Sequence, residues 1–146
     1  MTPSVAGEEL APPLAPGTLR TLAQRYLPAL RAARGKPVPW VGGGSEPDGT
    51  LVLAQPRVEA SVGDFLQALH RLRVIYPFDW PAWSPRAEAL VAPGGIEDAT
   101  LDELRRLLTV IIRQDRFATG VVAEMVERGV FVRILERMAE LADPPR

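Results

Sequence analysis

TLDELRRLLTVIIRQDRFATGVVAEMVERGVFVRILERM, residues 100–138, is the stretch whose reading decides the fold class. Thr100-Leu101-Asp102-Glu103 sets a hydroxyl at a helix cap and a Glu three residues on, the pattern of a reciprocal capping box. Leu101, Leu104, Leu107, Leu108, Ile111 and Ile112 follow at helical spacing. So wide an apolar face predicts the central helix of a core. A second helix is predicted over 116–128, closed by Gly129, because glycine tolerates the positive φ that ends helices. Phe131, Ile134, Leu135, Met138 and Leu141 mark a third. Its outer side carries Arg133, Glu136, Arg137 and Glu140 at mutually supportive spacings.

Upstream, Ser84-Pro85 predicts a cap and a first-turn proline for a short helix to Val91, broken by Pro93-Gly94-Gly95. Before it, VIYPFDWPAW crowds four of the nine aromatic residues into Tyr76–Trp83. Val58, Val62, Phe65, Leu69 and Leu72 predict an amphipathic helix capped by Ser61 and running to about Arg73. Residues 36–56, KPVPWVGGGSEPDGTLVLAQP, have apolar runs around a Gly-rich centre. They predict a β-hairpin of Val38–Val41 against Thr50–Ala54, with the GGGS run as a turn. That run lacks the following helix and Lys of a phosphate loop. Leu19, Leu22, Tyr26, Leu30 and Ala33 give a first helix, capped by Thr18, kinked or restarted at Pro28 and ended by Gly35. The proline-rich residues 1–16 are expected to be a disordered leader and 143–146 a short tail, around one globular domain over 17–142. The expected fold is α+β, mostly α: five or six short helices packed with a small β-hairpin.

Composition removes several chemistries. The 146 residues are 47% hydrophobic with a net charge of −1, so no global field draws the chain to nucleic acid or membrane. Sixteen of the 17 basic residues are Arg, a bias that GC-rich coding explains without any phosphate site. With no Cys there is no disulfide, thiolate ligand or cysteine nucleophile, and a Ser-His-Asp triad would have to use His70, the single histidine. No metal or cofactor is expected. No window supplies the ~18 apolar residues of a membrane span, and the N-terminus lacks a signal-peptide pattern, so a cytoplasmic location is expected.

Two segments, PFDWPAW at 77–83 and LDELRRLLTVIIRQDRFATGVVAEMVERGVFVRILERM at 101–138, resemble in order and spacing a bacterial and archaeal family of unknown function, DUF6508. Its motifs are Phe-Asp-Trp-Pro-x-Trp, Leu-Leu-Thr, and Arg-x-Asp-Arg-Phe with a Gly three residues on. Leu27-Pro28, Trp40, Gly49, Pro56 and Phe65 fall where that family places similar residues, so the resemblance spans roughly 18–141. It implies a small mixed fold and no particular activity. Relatives often carry histidines flanking the Arg-x-Asp-Arg-Phe motif, and Cys-Glu after it. This chain has Ile111 and Val121 at the two His positions, and Ala118-Thr119 for Cys-Glu. Any chemistry of those residues is therefore lost here.

The remaining candidates are Arg113, Asp115 and Arg116, together with Asp79, Trp80 and Trp83. On a continuing helix Asp115 lies on the apolar side, where a carboxylate needs a partner that either Arg can supply. Such an arrangement is either an Arg fork for a carboxylate or phosphate, or a brace in which Asp115 caps a helix starting near Arg116. Trp80 and Trp83 are either a stacking platform or anchors in the core, with Asp79 a turn or cap residue. Residues 18–36 carry five basic side chains (Arg20, Arg25, Arg31, Arg34 and Lys36) and no acidic one, and Arg20, Gln24, Arg31 and Arg34 line up on one helix face without interleaved aromatics. Nucleic acid is therefore not the expected partner. The expected function is a non-catalytic binding or regulatory module for a protein or small anionic ligand, with a homodimer compatible. An enzyme acting on a phosphorylated or carboxylated substrate through Asp115 with Arg113 and Arg116 is the alternative, and nucleic-acid binding through the basic first helix a weaker one.

Overall fold

The computed structural model describes residues 11–51 and 53–143. Among them are six α-helices and one two-stranded antiparallel sheet, so the fold is α+β and mostly α. The helices are α1 (Pro16–Ala33), α2 (Ala60–Arg71), α3 (Trp80–Val91), α4 (Leu101–Phe117), α5 (Val121–Glu127) and α6 (Val130–Ala142). The strands, β1 (Trp40–Val41) and β2 (Gln55–Pro56), lie between α1 and α2. Residues 1–10 of the expected leader and 144–146 of the expected tail lie outside the described residues. Of the leader's remainder, Ala11 and Leu14 rest on the core.

The core forms where apolar faces meet. Phe65 of α2 stands between Tyr26 of α1 (centroids 5.4 Å apart) and Phe131 of α6 (5.5 Å, edge to face). Phe65, Phe131, Leu69, Leu108, Ile134 and Leu135 are fully buried. α4 buries its predicted face and packs on α3, α5 and α6, but the most extensive helix pair is α1 with α6. The centre is therefore shared between α4 and α6, whose Phe131–Met138 face is apolar enough to be covered on several sides.

Several boundaries differ from the sequence expectation. α1 starts at Pro16, not at a Thr18 cap, because a proline in the first turn forfeits no helix hydrogen bond. It continues through Pro28, which lies on the exposed side of the helix, and does not restart there. α2 starts at Ala60 after Glu59, so Ser61 is not its cap. α3 starts at Trp80 with Pro81 in its first turn; Ser84 is internal and its hydroxyl donates to the Trp80 carbonyl, 3.2 Å. The hairpin is shifted: Trp40 pairs with Pro56 and Val41 with Gln55, and the described residues of Thr50–Ala54 contribute only the isolated bridge Leu51–Ser45. Three consecutive left-handed glycines, Gly42, Gly43 and Gly44 (φ 85, 87 and 96), bend the chain out of strand geometry and move the register.

The aromatic segment is fastened to α4 by a polar seam that sequence reasoning missed. Arg105 is buried, donating from Nε to the Val74 carbonyl (2.9 Å) and from Nη2 to that of Arg73 (2.8 Å). These carbonyls follow the C-terminus of α2, where a cation is favoured. Burial lowers the Arg105 pKa, against the raising influence of Tyr76 and Asp102. Thr109, also buried, accepts from the Tyr76 amide (3.3 Å) and donates to the Arg105 carbonyl (2.9 Å). The Tyr76 hydroxyl donates to Asp102 (2.6 Å) and accepts from Arg106 (3.0 Å), whose guanidinium lies over Phe78. Burial, then Asp102, hold the Tyr76 phenol above its ordinary range.

Removing Phe131 would open a cavity between three helices. Phe131→Ala is expected to cost about 3–5 kcal/mol of unfolding free energy, measured by urea denaturation. A loss near zero would mean that the α1–α2–α6 contact is not the core of the fold.

Candidate functional site

The Arg-x-Asp-Arg-Phe motif closes α4, which runs through it to Phe117. The predicted helix break before Arg116 is absent; the chain turns at 118–120 and α5 begins at Val121. Asp115 therefore does not cap a helix starting at Arg116. From the last turn of α4 its Oδ1 reaches across the turn and accepts from the Gly120 amide (3.2 Å) and the Val122 amide (3.0 Å). It thus caps α5 from outside the turn, satisfying donors that a helix start leaves open.

Neither arginine holds that carboxylate. Among the described residues no ion pair involves Asp115, Arg113 or Arg116, so the expected Asp–Arg pairing is corrected. The cheaper partners won: two backbone amides that the fold brings within reach need no ordering of long side chains. Arg113 and Arg116 instead act on His70. Partial desolvation first, then these two positive charges, hold its imidazole below the ordinary value.

Phe117 is 81% exposed and lies 6.0 Å, centroid to centroid, from Trp80, with the rings 32° apart. The two segments that carry the family resemblance thus meet at one aromatic pair. Trp80 is half-buried at the core's edge and Trp83 likewise, with Trp83 edge-on to buried Phe78 at 6.1 Å. Trp83 is an anchor, while Trp80 borders an exposed face formed with Phe117, Arg113, Arg116 and His70. Asp79 sits at the α3 cap position and is exposed, and its side chain makes no capping bond.

A cavity of about 360 Å³ opens between α3, α4 and α5, floored by Ala87, Leu107, Val110 and Met125. Ile111 and Val121 add apolar side chains to its wall, while Ser84, Glu88, Gln114 and Arg128 supply its polar groups. None of Arg113, Asp115 or Arg116 does. A shallower hollow, about 400 Å³, lies between Trp40 and residues 118–127. There the Trp40 indole covers Gly120, where an added Cβ would meet it at 3.0 Å. Glu127 ties the same region down, accepting the Val38 amide through its carboxylate (2.6 Å) and the Gly35 amide through its carbonyl (2.8 Å).

The basic face of α1 is largely occupied. Arg20 pairs with Asp143 (2.8 Å), Arg25 with Asp64 (3.5 Å) and Arg31 with Glu136 (4.0 Å). Arg34 lies along Gly129, where a Cβ would come within 2.5 Å of it. Among the described residues no cluster of acidic or His side chains is placed to hold a metal ion. No described helix is long and apolar enough to cross a membrane.

Fold and site define a predominantly helical α+β protein with an exposed basic-aromatic face at the end of its fourth helix. The chain belongs to the family of unknown function DUF6508, which it matches over residues 16–144. Comparison with curated proteins and with solved structures gives no match.

Asp115→Asn keeps an oxygen that can accept both amides, so it should cost little, whereas Asp115→Ala should lose about 1–2 kcal/mol. Arg113→Ala and Arg116→Ala should each stay within about 0.5 kcal/mol of wild type. Thermal or urea unfolding checks both, and a large loss from either Arg variant would restore the ion-pair arrangement. In addition, the His70 pKa, followed by proton NMR, should rise when both arginines are replaced by Ala. With a folded value below the unfolded one, His70 removes stability as pH falls through the unfolded pKa, and the double variant should weaken that acid-side loss.

Proposed function

We propose that this protein is a non-catalytic, cytoplasmic interaction module whose binding face is formed by Arg113, Arg116, Phe117 and Trp80. One observation carries the reading: two arginines without a carboxylate partner among the described residues stand beside a phenylalanine that is 81% exposed. Unpaired guanidinium groups recognise carboxylates or phosphates, and exposed aromatic rings add apolar contact area at low entropic cost. The fitting partner is an acidic protein segment that also carries apolar side chains. Asp115 supports binding over catalysis, since its Oδ1 is committed to backbone amides and it lines neither cavity. The engaged arginines of α1 argue against a phosphate-tracking surface there.

Fluorescence anisotropy with labelled Glu/Leu peptides is the test, with inorganic pyrophosphate in a thermal-shift assay alongside. Peptide binding that salt weakens, and that the triple variant Arg113→Ala/Arg116→Ala/Phe117→Ala abolishes without unfolding, is expected. Pyrophosphate stabilisation without peptide binding would replace the protein partner by a small anion. Peptide binding unaffected by the triple variant would refute this face.

A further inference from the structure

The ribbon between α1 and α2 is the least covered part of the fold. Every described residue from 39 to 55 is exposed. It nevertheless carries Trp40 (52% exposed), Val41 (43%), Leu51 (77%) and Leu53 (79%), four of the six large apolar side chains exposed among the described residues. A two-stranded ribbon is marginally stable alone, and its open edges and apolar side chains favour a partner.

Its tip is built and acidic. Glu46 donates its amide to the Thr50 carbonyl (2.7 Å) and accepts the Gly49 amide on its own carbonyl (2.9 Å), while the Asp48 carboxylate accepts the Thr50 amide (2.9 Å). That turn presents Glu46 and Asp48, and no basic residue lies between Lys36 and Arg57. The ribbon is therefore an acidic segment with exposed leucines, the chemistry that the Arg113–Phe117 face fits.

The ribbon also starts beside that face. Trp40 lies on Gly120, three residues after Phe117. Val41 and Glu46 are five residues apart, a span of at most about 16 Å that the left-handed glycines between them shorten. A two-fold axis next to this point would carry each ribbon across to the other copy, since an isologous contact repeats itself.

We infer that the protein forms a symmetric dimer in which the ribbon of each copy, with Glu46 and Asp48 at its tip and Leu51 and Leu53 behind, docks on Arg113, Arg116, Phe117 and Trp80 of the other. The inference rests on the binding-face reading above and names its partner. His70 adds positive charge at low pH, while Asp79 next to Trp80 and Asp115 between the two arginines are acidic residues at its border.

Sedimentation and native mass spectrometry of the full chain test it. Wild type is expected to be a dimer at micromolar concentration, weakened by salt. Glu46→Lys/Asp48→Lys and Arg113→Glu/Arg116→Glu should each raise the dimer dissociation constant by more than about a hundredfold, because each sets like charges opposite one another. Circular dichroism checks that both variants stay folded. Mixed in equal amounts, the two variants should dimerise again, since every contact then joins opposite charges. A monomeric wild type, a dimer indifferent to both reversals, or a mixture that stays monomeric would each overturn the inference. Monomeric wild type that still binds the Glu/Leu peptides through Arg113 and Arg116 would overturn the dimer while leaving the binding face standing.

Discussion

Everything at the end of α4 depends on where the Asp115 carboxylate spends its hydrogen bonds. By accepting the Gly120 and Val122 amides it fixes the α4–α5 turn and starts α5 without a cap residue of its own. Gly120 takes the left-handed conformation this turn requires, φ 112, and its missing Cβ lets the Trp40 indole close over it. α5 in turn supplies Glu127, which holds the chain leaving α1. One carboxylate thus fixes the turn around which α4, α5 and the base of the ribbon are arranged. It also leaves Arg113 and Arg116 without the neutralising partner that their sequence neighbourhood suggests.

A second set of contacts orients the aromatic segment. Arg105 and Thr109 are the buried polar residues of the described core, and both bond to the chain between Arg73 and Tyr76. Their satisfaction matters more than their net contribution, because a buried carbonyl or amide left unpaired costs about 1–3 kcal/mol. With residues 73–78 held on α4, Phe78 and Trp83 fall into the core's edge and Trp80 is carried out toward Phe117. The same clamp explains how one aromatic run contains both anchors and an exposed-face residue.

Much of the fold was legible because its signals are local. The Thr100 capping box forms, with Glu103 reaching back to the Thr100 amide at 3.1 Å. Gly35 and Gly129 take the positive φ expected of helix ends. The apolar stripes of α1, α2, α4 and α6 bury most of the predicted side chains, but Leu72, just past the end of α2, is exposed. What failed was punctuation near proline and glycine. Ser84-Pro85 and Asp79-Trp80-Pro81 each set a proline in the first turn after a residue of cap type, and packing of the aromatic segment selects the earlier start. The ribbon slipped because its glycines admit several registers and no buried face chooses among them.

The sequence by itself determined the helical class, the family resemblance, the absence of cysteine chemistry, and three of the four residues of the proposed face. Arg113, Arg116 and Trp80 were all among its candidates. Tertiary structure alone decided what those residues do. Whether Asp115 faces an arginine or an amide depends on where a turn five to seven residues later returns in space, and periodicity is blind to that. Phe117 passed unnoticed because a phenylalanine after an apolar stripe looks like its continuation. Arg105 passed because an arginine within one looks solvated. The first is exposed and the second buried, since burial belongs to the neighbours that folding brings together and not to the residue.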